Sequence, residues 1–319
     1  MIPDISIIIC TYNKPELIRR CIKSILKQEI DKNIEIIIVD GGSGKKTIEV
    51  INRIKKENKG IIFIDNPEKL PEGYGKGKWK GFKHAKGEIV GIIDQDNELI
   101  GKDCLKNLTD PFYKDKNISG VACRLFLKKE DNLTNQCIAL IGTDPFFAYR
   151  SLDYLIHSGK LNMYDEGGHH SIKVKKDNLL IFGGNCFFYR KKFLENIGGY
   201  VQDVDNIHFL VSKGYDKIGI PKNAFTHHYA VNGFTDFIRK KKKWAYEYSH
   251  KERTFSWKPK TGLERKEWIK NLSAIFIIFP LFSESINMTL KTKEKRFLLM
   301  PFLKIITTFI YITQRRYIK

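Results

Sequence analysis

Two carboxylates two residues apart, in Asp94-Gln95-Asp96, are the residues most suited to chemistry in this sequence. They directly follow residues 88–93, which are apolar after Glu88 and which we predict to form a buried strand. Carboxylate oxygens at such a point suit Mg²⁺ or Mn²⁺, which bind a few protein carboxylates together with phosphate oxygens. A solvated turn is the alternative interpretation of so short a pattern.

Two further polar clusters also follow predicted strands. Thr11-Tyr12-Asn13 follows residues 5–10, and Asp40-Gly41-Gly42-Ser43 follows residues 34–39. The Asp40 carboxylate can accept hydrogen bonds from a base or a ribose, although Asp-Gly-Gly also forms an ordinary turn. If the strands are parallel, all three clusters lie on one rim of the sheet, where open α/β sheets bind ligands.

A segment rich in glycine and lysine, Gly73-Tyr74-Gly75-Lys76-Gly77-Lys78, offers contacts to phosphate. It matches neither a Walker A nor a G-x-G-x-x-G pattern. An ordinary glycine-rich loop is therefore the alternative.

Helical spacing of apolar residues occurs between these predicted strands. We predict helices at 15–28, 47–58 and 77–85, and a further strand at 60–64. Such alternation indicates right-handed βαβ units and an open parallel sheet flanked by helices.

The pattern is less regular from residue 100 onwards. In chain order we predict a strand at 118–127, a helix at 146–156, a polar loop at 161–176, a strand at 179–189, helices at 191–197 and 206–213, and a strand at 217–220.

The charge of the chain is concentrated near its end. The 319 residues are 42% hydrophobic, enough for a large core, and carry a formal charge of +20. Residues 239–319 contain 20 Lys and Arg but only 6 Asp and Glu. This distribution predicts an anionic partner, which could be a membrane surface, a nucleic acid or a phosphorylated substrate. We divide the chain into a catalytic domain at 1–235 and a basic helical region at 236–319.

Two apolar stretches in the basic region, 272–282 and 297–313, are shorter than the ~20 residues of a membrane span. The connector at 291–296 carries four basic residues, so two spans would place these charges outside, against the positive-inside tendency. We therefore expect helices that lie in the cytoplasmic interface of a membrane, with a soluble cap over the catalytic core as the alternative. Six scattered cysteines and an N-terminus without a signal-peptide pattern favour a reducing compartment.

Taken in order, these motifs resemble the family 2 glycosyltransferases of GT-A fold. The resemblance rests on two early motifs, the opening Ser6 to Lys14 and the Val39-Asp40-Gly41-Gly42-Ser43 element, and on the approach from Lys86-Gly87-Glu88 to Asp94-Gln95-Asp96. It continues at Gly183-Gly184-Asn185-Cys186, Tyr189-Arg190-Lys191 and Ile197-Gly198-Gly199-Tyr200, and covers about residues 1–245. The implied fold is a Rossmann-like, mostly parallel sheet flanked by helices.

The resemblance implies a role for each matching residue. Contacts to a nucleotide-diphosphate sugar would come from Thr11, Tyr12, Asn13, Asp40, Gly41, Lys76, Asp94 and Gln95. The metal, Mn²⁺ or Mg²⁺, would be held by Asp96 and Asp94, and His227 or His228 falls where relatives place a further ligand; we select His227. The family's acidic catalytic motif matches Gln202-Asp203-Val204-Asp205, in which Asp203 is our choice of base and Asp205 the alternative.

The implied reaction is inverting transfer of a sugar to a lipid-linked or polysaccharide acceptor at the cytoplasmic membrane face. A nucleotidyltransferase-like enzyme and a basic membrane- or nucleic-acid-binding protein are the alternatives. The former lacks its usual N-terminal loop here, and we expect no nucleic acid partner.

Overall fold

The structure is a computed structural model and describes residues 2–66, 76–142, 152–159, 161–175, 185–250 and 279–315. Its contacts divide the chain into two compact units. The first comprises Met1–Arg124 with Asn162–His228, and the second comprises Leu125–Leu161 with Tyr229–Lys319. The later of these boundaries lies close to the predicted one at 235, whereas residues 125–161 group with the C-terminal region.

The strands and helices alternate at first and then mix. The strands are β1 (Ile5–Thr11), β2 (Ile34–Asp40), β3 (Ile61–Asp65), β4 (Ile89–Ile92), β5 (Asn97–Ile100), β6 (Ile118–Ala122), β7 (Arg124–Leu125), β8 (Tyr164–Asp165), β9 (His169–Lys173), β10 (Phe187–Arg190), β11 (Lys217–Pro221) and β12 (Phe225–His228). The helices are α1 (Pro15–Leu26), α2 (Lys45–Glu57), α3 (Lys76–His84), α4 (Cys104–Lys114), α5 (Leu133–Ile141), α6 (Leu152–His157), α7 (Lys191–Glu195), α8 (Asp203–Ser212), α9 (Phe234–His250), α10 (Phe279–Thr292) and α11 (Met300–Arg315). A 3-10 turn, Lys295–Leu299, joins the last two helices.

The first half of the main sheet is parallel. Strands β3, β2, β1 and β4 lie side by side in that order and pair in parallel. β1 is buried along its whole length, as its β-branched sequence predicts. The predicted βαβ alternation is therefore confirmed here, and it brings the carboxyl ends of β1, β2 and β4 to one rim.

The second half of the sheet is mixed. β10 lies antiparallel between β4 and β6, followed by β11, β9 and β8, so that this sheet has nine strands among the described residues. A β-carbon on Gly91 would lie 2.4 Å from the Phe188 ring, and one on Gly120 would lie 2.4 Å from the Phe187 ring. Glycine at both positions makes room for the two rings of β10.

The prediction of a polar loop at 161–176 is wrong, because β8 and β9 form an antiparallel hairpin within these residues. Its polar residues are compatible with a strand because they are paired. Ser171 is buried and its Oγ donates to Glu166, and Lys222 contacts Asp165 at 2.8 Å. β9 then pairs along its length with β11, which supplies the hydrogen bonds that a loop would lack.

Two elements near the rim were not predicted. β5 follows Asp96 directly and pairs antiparallel with β12. α4 packs against β6, β11 and β10 with a buried face that includes Leu105, Leu108 and Phe112. The second unit is helical in its described part, and α9 packs against α11.

Residues 143–151 and 176–184, on which parts of two predicted elements fall, lie outside the described residues.

Candidate active site

The rim is organised by hydrogen bonds between neighbouring strand ends. Thr11 and Asp40 are register partners at the ends of β1 and β2. The Thr11 Oγ1 donates to Gln95 Oε1 at 2.7 Å, and the Tyr12 backbone N–H contacts the same oxygen at 3.3 Å. Asn13 joins the loops after β1 and β2, since its Oδ1 accepts from the Gly44 N–H at 2.7 Å. The three predicted clusters therefore lie together.

Asp40 is buried at the floor of this rim. Its Oδ2 accepts from the backbone N–H groups of Gly42 at 3.0 Å and Ser43 at 2.7 Å. Its Oδ1 is buried without a hydrogen-bond partner among the described residues. A buried carboxylate oxygen of this kind can accept a hydrogen bond from a donor group of a bound ligand.

Close packing of α3 on the sheet brings a lysine to the same rim. A β-carbon on Gly81 would lie 2.4 Å from the Ile8 side chain, and one on Gly77 would lie 3.0 Å from Cys10 Sγ. These two glycines, four residues apart on one helix face, let α3 approach β1 closely. The next residue after Gly77 is Lys78, which is buried.

Lys78 links two carboxylates that are far apart in the chain. Its Nζ lies 3.0 Å from Asp94 Oδ1 and 3.2 Å from Asp203 Oδ2. Burial lowers the pKa of Lys78, but the carboxylates of Asp203 and Asp94 outweigh it and hold that pKa well above its usual value. The cation therefore stays charged between its two partners.

The two candidate bases occupy the first turn of α8 and have different surroundings. Asp203 accepts from the Tyr200 hydroxyl and from Lys78, while burial raises its pKa, Lys78 lowers it and Asp94 raises it further. Asp205 is only 2% exposed, and burial raises its pKa to about 6. Of the two candidate bases, Asp203 is therefore the one that shares the Lys78 ammonium with Asp94.

The histidine beside Asp96 is His228. Its Nε2 lies 3.5 Å from Asp96 Oδ2. His227 precedes it on β12, pairs with Glu98 in register and is buried, and neighbouring side chains of a strand point to opposite faces. No group of three or more His, Cys, Asp or Glu side chains in the described ranges is arranged to hold a metal ion.

For some of the predicted site residues, the structure describes only the position of the backbone. Lys76 begins α3, and Gly41 donates its N–H to Thr11 O at 2.9 Å. Residues 73–75, and Gly183-Gly184 of the later motif, lie outside the described residues. Lys78 and Tyr200 were missed as site residues, although both stand in segments that the sequence had singled out.

A family model described as "Glycosyl transferase family 2" matches residues 6–198, well over half of the chain. The chain belongs to glycosyl transferase family 2. This membership decides between the transferase and the two alternative functions in favour of the transferase. The large sheet with flanking helices is the α/β fold of GT-A type.

Two relatives cover most of this family 2 chain. A dolichyl N-acetyl-alpha-D-glucosaminyl phosphate 3-beta-D-2,3-diacetamido-2,3-dideoxy-beta-D-glucuronosyltransferase of Methanococcus voltae is 25% identical and covers 94% of this chain and 92% of its own. A GalNAc(5)-diNAcBac-PP-undecaprenol beta-1,3-glucosyltransferase of Campylobacter jejuni is 24% identical over 70% of each chain.

The fold of this glycosyltransferase is shared with the mannosyltransferase PcManGT of Pyrobaculum calidifontis, solved with GDP-Man and Mn²⁺. The two superpose with a TM-score of 0.57 and 16% identity, over 98% of this chain and 88% of the other.

Proposed function

We propose that this glycosyltransferase moves a sugar from a nucleotide-diphosphate sugar to a lipid-linked or saccharide acceptor, with inversion, at the cytoplasmic face of a membrane. The observation that carries the proposal is the contact of Lys78 with both Asp94 and Asp203, because it unites the donor rim with the acidic turn of α8. The names of the two relatives, which specify undecaprenol and dolichyl substrates, support a lipid-linked acceptor.

The nucleotide would lie over the ends of β1 and β2. Asp40 Oδ1 would accept a hydrogen bond from the base, since it is a buried acceptor that has no partner among the described residues. The half-exposed ring of Tyr12 offers a surface for stacking on that base. Thr11, Asn13, Gly41 and Gln95 would contact the rest of the nucleoside, and Lys76 the phosphates.

The diphosphate would lie beside Asp94 and Asp96. The Asp96 carboxylate and the His228 imidazole are 3.5 Å apart, and carboxylate with imidazole is a donor set that accommodates Mn²⁺ when phosphate oxygens complete it. We therefore propose Asp96 and His228 as the protein ligands of Mn²⁺ or Mg²⁺, in place of His227. A bound divalent ion would stabilise the negative charge that develops on the leaving diphosphate.

Asp203 would remove the proton from the acceptor hydroxyl. Burial raises the pKa of Asp203 and the ammonium of Lys78 opposes this rise. A raised pKa makes the ionised carboxylate a stronger proton acceptor, as a general base requires. The Tyr200 hydroxyl holds the carboxylate in one orientation. We assign Lys78 and Tyr200 as positioning residues and keep Asp205 as the alternative base.

The test is transfer from UDP-, GDP- and dTDP-sugars to a polyprenyl-diphosphate-linked sugar with Mn²⁺ or Mg²⁺. We expect turnover with one donor class. Asp203→Asn should lower kcat at least about 100-fold, the lower range for a lost general base, with donor binding by calorimetry nearly unchanged. Asp205→Asn is the matched control in the same helical turn and should retain transfer.

Two results would contradict these assignments. Loss of transfer in Asp205→Asn with retention in Asp203→Asn would make Asp205 the base. Absence of turnover with every donor and acceptor, in protein that folds normally, would rule out the proposed function.

A further inference from the structure

Helix α11 buries apolar residues such as Leu303, Ile310 and Tyr311 together with several polar ones, and it also exposes large apolar side chains. Lys304, Thr307 and Thr308 are buried, whereas Phe302 and Phe309 are 51% and 50% exposed. The Thr307 and Thr308 hydroxyls donate to backbone carbonyls of the same helix at 2.7 and 2.8 Å. In a helix on the surface of a water-soluble protein, the exposed side is polar instead.

Helix α10 likewise buries a polar residue beside the apolar Leu281 and Met288 and exposes other apolar side chains. Ser285 is fully buried and its Oγ donates to Phe297 O at 2.6 Å. Phe279, Ile286 and Leu290 are 81%, 48% and 74% exposed, and their spacing places them on one side of the helix. The apolar side chains of α10 therefore form an outer stripe like that of α11.

The two stripes belong to one surface of the C-terminal unit. The rings of Phe282 on α10 and Phe302 on α11 meet edge to face, with centroids 5.7 Å apart. Lys304 Nζ lies 3.9 Å from Glu284 Oε2, so a charge on α11 faces α10 from the inner side. We call the exposed large apolar side chains of both helices and of the 3-10 turn between them the outer face: Phe279, Ile286, Leu290, Leu298, Phe302 and Phe309.

Exposed lysines border the outer face. Lys291 lies in the last turn of α10, and Lys293 and Lys295 lie between α10 and α11. These three connector lysines are next to the exposed Leu290 and Leu298. Apolar side chains flanked by ammonium groups match a bilayer interface, in which acyl chains lie beneath anionic phosphates. This complementarity favours an anionic membrane over a protein partner.

The geometry also favours a position in the interface over a span. The stretch Lys295–Thr313 is long and apolar enough to cross a membrane by length and composition, but about half of it is buried within the protein. The 16 residues of α11 correspond to about 24 Å at about 1.5 Å per residue, less than the ~30 Å of a hydrocarbon core. Only one side of the helix is available to lipid.

We infer that the outer face of α10 and α11 inserts into the headgroup boundary of an anionic bilayer, with the connector lysines on lipid phosphates. The inference deepens the proposed function, on which it depends for the lipid-linked acceptor that would be delivered at the same membrane.

The test measures binding of the full chain to vesicles of phosphatidylcholine alone or mixed with phosphatidylglycerol, by co-sedimentation. We expect wild-type protein to prefer the mixed vesicles. Phe302→Ser with Phe309→Ser should weaken binding about tenfold or more, because burial of each phenylalanine drives insertion. Tyr164→Ser, which removes a 61% exposed aromatic residue of the first unit, is the matched control and should bind like wild type.

The lysines and the depth of insertion are tested separately. Replacing Lys291, Lys293 and Lys295 with Gln should remove the preference for anionic vesicles, at roughly fivefold in affinity per lysine. All six native cysteines are buried, so a fluorophore on Phe302→Cys labels the outer face selectively. Its emission should shift to the blue on mixed vesicles, whereas the same label on Tyr164→Cys should not respond.

Four outcomes would overturn the inference. The first two are unchanged vesicle binding by the Phe302→Ser/Phe309→Ser variant and a fluorescent label that stays in water. The other two are resistance of the bound protein to alkaline extraction, as expected of a membrane span, and wild-type dimers that this variant dissociates while vesicle binding persists. The assay contains no nucleotide or sugar. Failed binding with intact transfer would therefore contradict this inference alone, and binding without transfer would contradict the proposed function alone.

Discussion

Lys78 connects two carboxylates of the candidate active site. It is buried between two carboxylates, each within 3.2 Å of its Nζ. Loss of Lys78 would leave the two carboxylates without their cation, which typically costs about 3–5 kcal/mol, whereas loss of one carboxylate leaves a balanced pair. The same contact that holds Asp94 and Asp203 in the cleft therefore also stabilises the fold around it.

Asp205 makes the stability of the protein depend on pH. Burial raises its pKa from 3.8 to about 6, so the folded state binds the proton more tightly than the unfolded chain does. This stabilisation is fully present below about pH 4 and is lost as the pH rises through about 6. We expect this group to lower the free energy of unfolding by about 3 kcal/mol between those limits.

Urea unfolding of wild type and Asp205→Asn between pH 4 and pH 8 measures this effect. The variant should gain stability relative to wild type as the pH rises. The control is Asp31→Asn, at an exposed position of the same unit, which should keep a constant difference from wild type. A constant difference for Asp205→Asn as well would show that burial does not perturb this carboxyl.

Among the strands, the contact between β4 and β10 leaves no free space at Gly91. We expect Gly91→Ala to destabilise the protein by about 1–3 kcal/mol, the usual cost of overpacking, because the new methyl group would meet the buried Phe188 ring. The free energy of unfolding in urea measures the loss.

Two further variants isolate the cause of that loss. Gly168→Ala is the control, since the nearest atom to its β-carbon would be Lys114 Nζ at 3.5 Å. Phe188→Leu combined with Gly91→Ala should cost less than the sum of the two single changes. Strict additivity would mean that the ring contact is not responsible.

For the chain as a whole, nucleotide binding should be visible as added stability. The nucleoside diphosphate of the correct donor, with Mn²⁺, should stabilise the protein by about 2.7 kcal/mol at 100 times its Kd. A thermal-shift series over the three nucleotides, with and without chelator, measures this effect and identifies the base.

The metal-dependent part of that shift should require His228. We expect His228→Ala to keep the shift from nucleotide alone and to lose the increment from Mn²⁺. His84→Ala, an exposed histidine of α3, is the matched control and should behave like wild type. A full Mn²⁺ increment in His228→Ala would remove this residue from the proposed metal site.

The sequence alone predicted the parallel half of the fold. β1, β2 and β4 are short β-branched runs, and α1 and α2 have apolar residues at helical spacing. These signals are local, because burial on two faces or on one stripe selects the residue types directly. The hairpin at β8 and β9 has no such signal, since its polar residues become compatible with a strand only when Lys222 and β11 pair with them.

The sequence by itself determined the chemical groups and, through its motifs, the family: the carboxylates after β2 and β4, the acidic turn of α8 and the order in which they occur. The tertiary structure alone decided that His228 faces Asp96 and that Lys78 joins Asp94 to Asp203, which lies 125 residues after Lys78. The physical reason is the distance along the chain over which each kind of information acts. Local periodicity reports which face of an element is buried, whereas the partner of a buried charge depends on how distant elements pack, here on the two glycines that bring α3 against β1.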